Sequence, residues 1–536
     1  MMPWRRSASA AQRAWELARL AWQLPEYLRD RLDCERAATA LRQRLAEREE
    51  RFVTTLHRHV EARPSGPLAR LLAWAGWTMS DVAAAVRRDG IAAALARLRD
   101  AGVYVTHAEL LGAVALQRPG LTLTVHPDDF DNPMPSGARL SGATSGSRSH
   151  GIRVFYTWEF LAEEAANEAL LFAAHGLLTA PFAYWMPAVP ALSGVHNLLF
   201  DLKSGRVPAR WFAQVDAVAP GPHVAARAAN SAALRLAFGY VLWRSRQAAP
   251  HTPAPEHTPL AEAERVARWL ANTARDSGTV VLKAYASAAV RVAAAARSAG
   301  LDLSGSVMLT GGEPLTESRR RFIEASGARV FARYVTTETG LVAGACAARQ
   351  HTDEMHVYLD RLAVIPGGCD GRSLLFTSLS PHAGKVLLNV DLGDTGTLVR
   401  RHCGCALGDL GLDLLVHDIR SDAKVAGEGV KLSASELHVL VAPLVEAAGG
   451  GPDDFQFWEE ETASGRTQLV IAVDPGVTRL DENALVRQLI ATLKQQPLRG
   501  NLAGQLWEQG ATVRVVRQRP VATAGHKLLS MRRSLP

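Results

Sequence analysis

Arg333-Tyr334-Val335-Thr336-Thr337-Glu338-Thr339-Gly340 is the stretch on which the reading of the fold turns. Ala328, Val330, Phe331 and Tyr334 lead into it as an apolar and aromatic run, the pattern of a short buried strand. That strand delivers two hydroxyls and a carboxylate to its end, where α/β folds bind their ligands. Upstream, Val307-Met308-Leu309-Thr310-Gly311-Gly312-Glu313-Pro314-Leu315 reads as a second apolar strand, ending in two glycines that let backbone approach something flat and large. Thr316 to Ser326 is helical between them, so the unit is strand, turn, helix, strand, and the class is α/β.

Working outward, Ala8 to about Gln117 has Ala, Leu and Arg at three-to-four spacing, broken at Arg63-Pro64-Ser65-Gly66-Pro67 and Asp89-Gly90. It predicts a helical N-terminal lobe and shows no chemistry of its own. Leu121 to Asp131 reads as extended, Thr157 to Leu177 as a helix capped by Thr157, Ala180 to Asp216 as short strands and turns, and Arg246 to Pro259 as an exposed loop. Leu260 to Arg275 is expected to be a helix, Val280 to Tyr285 a buried strand, and 287 to 299 an Ala-rich helix. A small α/β unit closes the chain, with strands at Asp454 to Trp458, Thr467 to Val473 and Ala511 to Gln518 and a helix at Asp481 to Leu493.

A chain of 536 residues is too long for one core, and a large domain with a smaller one is the natural division. The formal charge of +7 comes from arginines scattered along the whole length, which suits anionic small ligands better than a nucleic-acid groove. Five cysteines in so long a chain are no secreted disulfide framework and point to a reducing, cytoplasmic setting. Met1 to Leu24, with Arg5, Arg6, Arg13 and Arg19, reads equally as a transit-like leader or an amphipathic lead-in helix. No run of about 20 apolar residues is present to span a bilayer.

The densest run of hydroxyls and glycines is Leu140-Ser141-Gly142-Ala143-Thr144-Ser145-Gly146-Ser147-Arg148-Ser149-His150-Gly151. Backbone N–H groups and hydroxyls on such a loop can wrap phosphate oxygens, although a flexible linker has the same composition. Asp391-Leu392-Gly393-Asp394-Thr395-Gly396 follows further on, then His402-Cys403-Gly404-Cys405, then Ile419-Arg420-Ser421-Asp422, and near the end Thr523-Ala524-Gly525-His526-Lys527-Leu528.

In this order the motifs resemble those of the adenylate-forming superfamily, which contains acyl-CoA synthetases, luciferases and peptide-synthetase adenylation domains. The resemblance covers roughly residues 120 to 536 and is greatest to the phenylacetate-CoA ligase branch. It implies an N-terminal adenylation domain over 1–420, with 1–117 as its helical lobe, and a mobile lid domain over 421–536 hinged at Asp422. The implied substrates are ATP with Mg²⁺, a small carboxylic acid of aryl or related type, and a thiol, CoA above all. Carrier-protein, amine and hydroxyl acceptors stay open, as does a non-catalytic nucleotide-binding protein, and the branch admits a homodimer.

The resemblance also implies roles. Thr144, Ser145, Gly146 and Ser147 with Thr337 would hold phosphate oxygens, and Glu338 the magnesium. Gly311, Gly312, Glu313 and Tyr334 would flank the adenine, with Asp394 and Arg420 on the ribose. Lys527 would bridge the acid and the α-phosphate. Cys346, His356, Cys403 and Cys405, with His351 as substitute, would hold a structural zinc, while reduced thiols in a packed turn are the alternative. The chain departs from the superfamily pattern at Val335, in lacking Pro-Lys after the phosphate loop, where Arg148 or His150 stands in, and in placing His526 between glycine and lysine.

Overall fold

The Arg329–Thr336 strand is the seam of a twelve-stranded sheet, the largest among the described residues. The computed structural model describes residues 22–133, 140–143, 153–189, 193–215, 225–367, 372–421, 424–451, 453–496 and 499–521. On one side of the seam the strands Ser306–Gly311, Val280–Tyr285, Phe182–Trp185, Arg210–Ala213 and Pro255–His257 follow, each parallel to its neighbour. On the other side Gly340–Gly344, Met355–Val357, Leu414–Ser421, Val390–Arg400, Ser373–Ser378 and Leu362–Gly367 run antiparallel. Val280–Tyr285 and Ser306–Gly311 are nearly continuous buried runs rich in Val, Leu, Ala and Met, and Phe182–Trp185 is a buried aromatic run, as expected of strands covered on both faces.

Chain order in the parallel half reverses once. It runs outward from Phe182–Trp185 to Pro255–His257, returns to Val280–Tyr285 on the opposite flank, and continues to the seam. A crevice therefore opens beyond the carboxyl ends of Phe182–Trp185 and Val280–Tyr285, the place where open α/β sheets receive ligands.

The α/β reading and its core strands hold: Val280–Tyr285, Ser306–Gly311 and Arg329–Thr336 form as expected, joined by helices at Ala286–Ser298 and Glu317–Glu324. Several local expectations fail. Arg246 to Pro259 is a loop only in part, since the helix Ala225–Ala248 runs into it and Pro255–His257 is a strand at the sheet edge, leaving 249–254 as the connection. An edge strand tolerates Pro255 because no ladder donor is needed there. Ser193–Lys203 is a helix inside the stretch read as strands, and Pro127–Phe130 is a 3₁₀ turn inside the stretch read as extended. The expected break at Asp89-Gly90 is present, since Gly90, with φ of 77° and ψ of 166°, separates two helical halves of Met79–Asp100.

The N-terminal helices Cys34–Ala46 and Arg48–Ala62 dock onto the Trp158–Ala174 helix through buried charge. Arg44 pairs with Asp360 at 2.8 Å and reaches Asn167, and Arg51 pairs with Glu163. His59, 1% exposed on the same lobe, has no hydrogen-bond partner for either ring nitrogen. Burial, and then Arg63 one turn on, lowers its pKa from 6.5 to about 4. The imidazole thus stays neutral in the fold but charges in the unfolded chain below the ordinary histidine value, so stability is lost as pH falls from 6.5 towards 4. At pH 4 this site removes about 3 kcal/mol, and His59→Gln should flatten that part of a melting-temperature profile. An unchanged slope in the variant would assign the loss to other groups.

Beyond Ser421 the chain forms a hairpin, Lys424–Gly427 with Val430–Ser433, and a three-stranded sheet of Phe455–Glu461, Thr467–Val473 and Val513–Arg517. Helices Ala434–Ala447, Glu482–Gln495 and Arg499–Gly510 accompany it, the last one unanticipated. Glu428 and Gly429 both have positive φ, 52° and 78°, the conformation of a tight two-residue hairpin turn. That turn is buried against the large sheet: Gly429 N–H donates to Glu313 Oε1 at 2.8 Å, and Glu428 pairs with Arg291. Arg319, 2% exposed, adds donors to the Gly465 carbonyl at 3.0 Å and to Thr467.

Candidate functional site

Between the seam strand and its antiparallel neighbour Gly340–Gly344, residues Thr337, Glu338 and Thr339 form a tight turn. The Thr339 N–H donates to Thr336 Oγ1 at 3.1 Å, and the two threonine hydroxyls share a hydrogen bond at 2.9 Å. Arg361 donates to the Thr339 carbonyl at 2.8 Å and pairs with Glu164 at 3.1 Å, while Glu164 also accepts from the Leu341 N–H. A buried arginine and a buried glutamate thus grip the turn from beneath, and Glu338 is left projecting from it. Glu338 is 6% exposed and has no hydrogen bond or ion pair with any described residue. A buried carboxylate without a donor among the described residues is costly.

Gly340 closes the grip. Its φ is +71°, and a Cβ there would lie 2.0 Å from Glu164 Oε1. Gly340→Ala should cost about 2 kcal/mol through backbone strain and displacement of the carboxylate. Chemical denaturation reads this directly, and a variant as stable as the parent would show that the turn yields freely.

Tyr156 ends the strand Arg153–Tyr156 that leaves the hydroxyl-rich loop, and its hydroxyl donates to the Thr337 carbonyl at 2.9 Å. The base of that loop is therefore fastened to the turn carrying Glu338. Burial pushes the Tyr156 phenol up, helped by the carboxylates of Glu164 and Glu338. On the other side, Tyr334 donates to Asp394 Oδ2 at 2.6 Å, and both side chains are buried. Burial, then Asp394, then Glu338 hold that phenol far above its ordinary pKa, so it stays a donor at any physiological pH.

Gly311 lies at the carboxyl end of its strand against Arg333, whose carbonyl oxygen a Cβ on Gly311 would approach to 3.3 Å. Gly312, with φ of +79°, faces the ring of Tyr285. The side chain of Glu313 points away towards the backbone N–H groups of Ser287 and Gly429. Arg420 pairs in register with Thr395, one residue beyond Asp394, so strand alternation puts it on the opposite face of the ladder. Its guanidinium is half exposed and lies 3.7 Å from Asp353. Thr144, Ser145, Gly146, Ser147, Arg148, His150, Asp422, His526 and Lys527 lie outside the described residues.

Cys346, His356, Cys403 and Cys405 come together, with ligand atoms all within 4.8 Å of one another. Cys346 Sγ and Cys403 Sγ are 3.9 Å apart, and His356 Nε2 is 3.3 Å from Cys403 Sγ and 3.2 Å from Cys405 Sγ. Two thiolates bound 2.3 Å from one tetrahedral ion would stand about 3.8 Å apart, so the donors have the spacing of a closed zinc shell. His356 Nδ1 lies 2.6 Å from the Leu412 carbonyl, the outer contact that leaves Nε2 as the ligating atom. Hydrogen bonding from Cys346, and then from His356, outweighs burial and lowers the Cys405 thiol to about 3. His351 is elsewhere, stacked on His417 at 3.9 Å. The tetrad joins the end of the Gly340–Gly344 strand remote from the Glu338 turn to Met355–Val357 and to the segment after Val390–Arg400.

Sequence reasoning missed Glu164, Arg361 and Tyr156. A signal existed in the Trp158–Ala174 helix, where Glu163, Glu164, Asn167 and Glu168 interrupt an apolar sequence at positions that are all buried. Three carboxylates on a core helix require cations from elsewhere in the chain, and Asn167 a hydrogen-bond partner.

No family model matches the sequence, and no curated protein matches it. Among solved structures the chain is similar to the amide bond synthetase of Marinactinospora thermotolerans, at 14% identity over 90% of this chain and 97% of that one, with a TM-score of 0.42. It is also similar to the o-succinylbenzoate CoA synthetase of Bacillus subtilis, at 13% identity over 73% and 67% of the two chains, with a TM-score of 0.38. An anthranilate CoA ligase in complex with anthranoyl-AMP shares 12% identity over 76% and 66%, with a TM-score of 0.34. Likenesses this slight leave the functional reading to the chain's own residues.

Proposed function

We propose that the protein is an adenylate-forming enzyme that activates a carboxylic acid with ATP and passes the acyl group to a thiol, CoA above all. One observation carries the reading: the Thr337–Glu338 turn gathers Tyr156 from the base of the hydroxyl-rich loop and lies beside the Tyr334–Asp394 pair. Three separate pieces of the chain thereby supply groups suited to phosphate, magnesium and ribose within one neighbourhood.

In this reading Asp394 accepts from the ribose hydroxyls, and Tyr334, held by that same carboxylate, offers its ring to the adenine. Glu338 would hold Mg²⁺, which supplies charge neutralisation on the phosphates. Thr337 and the hydroxyls of residues 144–147 donate to phosphate oxygens. A carboxylate oxygen of the acid attacks the α-phosphorus, the bond to the bridging oxygen breaks, and pyrophosphate leaves; Lys527 offsets the charge that builds between the two anions. The thiol sulfur then attacks the acyl carbon, and AMP departs. The Cys346, His356, Cys403 and Cys405 tetrad supports the phenylacetate-CoA ligase-like form of this reading, as a structural zinc site at the far end of the Gly340–Gly344 strand.

The test is pyrophosphate release across a panel of carboxylic acids, followed by AMP release with and without CoA. Lys527→Ala should lower adenylate formation roughly 100-fold, equivalent to about 3 kcal/mol of lost charge stabilisation. An unchanged rate would remove Lys527 from the mechanism, and ATP binding without pyrophosphate from any acid would favour a nucleotide-binding protein instead.

A further inference from the structure

Beneath the crevice at the reversal of the parallel sheet lies a dry cluster of charge. Lys283, 0% exposed in the middle of its strand, lies 2.7 Å from Asp201 and 2.7 Å from Glu168. Arg333 pairs with Glu168 at 2.7 Å, Arg206 with Asp201 at 3.2 Å, and Tyr184 donates to Asp201 at 2.6 Å. Three cations face two carboxylates, all five side chains are at least nine-tenths buried, and the adjoining Glu164–Arg361 pair is balanced in itself. Arg206 also stacks on Phe172, with its guanidinium carbon 3.3 Å from the ring centroid. One positive charge remains over, and Arg333 is the member of the cluster that borders the crevice.

Arg333 reaches the crevice through Asn197, whose Oδ1 accepts from it at 3.2 Å, and its buried Nε has no hydrogen-bond partner. Asn197 stands on the first turns of the Ser193–Lys203 helix with Ser193 and His196, partly exposed on one face. Ser193 Oγ meets the Tyr285 hydroxyl at 2.9 Å, across the carboxyl end of Val280–Tyr285. His196 packs edge-on against Tyr156, ring centres 4.6 Å apart, and its buried Nε2 is also without a partner. Gly194 lets the helix settle this low, since a Cβ there would strike the Trp211 ring at 2.4 Å. Polar groups thus run along the crevice from Tyr156, beside the Thr337–Glu338 turn, to Arg333, and mark out a polar chamber there.

We infer that this chamber receives the acid, and that the preferred substrates carry a second oxygen acceptor, a carboxylate above all, at the end remote from the carboxyl group being activated. This rests on the adenylating reading and narrows it to distally polar acids, diacids first. A wholly apolar acid would leave the Arg333 Nε donor buried and unsatisfied, the condition under which polar sites reject an analogue most strongly.

The experiment compares matched acids that differ only at the far end: adipate with hexanoate, and terephthalate with 4-methylbenzoate. In acid-dependent pyrophosphate release the distally polar member should be favoured by roughly tenfold or more in kcat/KM. Arg333→Met and Asn197→Leu should each erase most of that preference by raising KM for the acid, with KM for ATP unchanged. Asn197 is partly exposed, so its variant keeps the test alive if Arg333→Met does not fold. Plain acids used equally well, or variants that depress both members alike, would overturn the inference while leaving adenylation intact. Should no acid yield pyrophosphate, melting shifts induced by the same acids without ATP decide it: a shift with the diacids that Asn197→Leu abolishes supports the chamber, and no shift refutes it.

Discussion

Glu338→Gln is expected to lower acid-dependent pyrophosphate release by roughly 1,000-fold, about 4 kcal/mol of transition-state stabilisation. The side chain is buried and makes no hydrogen bond or ion pair among the described residues. The amide has nearly the same shape, and the turn is held by Glu164, Arg361 and Thr336 rather than by Glu338 itself. Loss of the negative charge should therefore leave stability unchanged or slightly raised, because an uncompensated buried anion has been removed. The pairing of a large rate loss with an undiminished melting temperature separates a metal-holding group from a structural one. A rate within a few-fold of the parent would place the magnesium elsewhere.

Removal of the metal shell is the second large effect. Cys405→Ser, or prolonged treatment with a strong chelator, is expected to release one zinc per chain and lower the melting temperature by about 10 °C. The donors sit at the spacing of a tetrahedral ion, and without one the His356 ring and three sulfurs crowd together where Gly340–Gly344, Met355–Val357 and the segment after Val390–Arg400 meet. Elemental analysis of untreated protein settles occupancy, and the Cys403→Ser variant should behave like the Cys405 one. Protein that contains essentially no zinc as purified, and melts the same after chelation, would reduce the tetrad to packed thiols.

How much of this was legible beforehand depended on how local each signal was. The strands Val280–Tyr285 and Ser306–Gly311, the Thr316 helix cap and the Tyr334-to-Glu338 exit all lie in short windows, where apolar runs, glycines and caps act on neighbours. The gathering of Cys346, His356, Cys403 and Cys405 was readable because cysteine and histidine in such a pattern suit one shared ligand set. The grip on the turn was not, since Glu164 and Leu341 stand 177 residues apart and nothing local relates them. Glu313 shows the opposite failure: its motif suggested a place beside adenine, while its carboxylate is spent on the Ser287 and Gly429 N–H groups, a contact 116 residues away in the latter case. The Arg499–Gly510 helix escaped notice because Gly500, Gly504 and Gly510 weaken its intrinsic propensity, and packing against Glu482–Gln495 sustains it instead.

The most direct measurement is a crystal structure with AMP or a non-hydrolysable ATP analogue bound. The account predicts both ribose hydroxyls within about 3 Å of Asp394, the adenine ring against Tyr334, and the α-phosphate at Thr337. A nucleotide seated elsewhere on the chain, with Asp394 and Thr337 both beyond hydrogen-bonding reach, would contradict it.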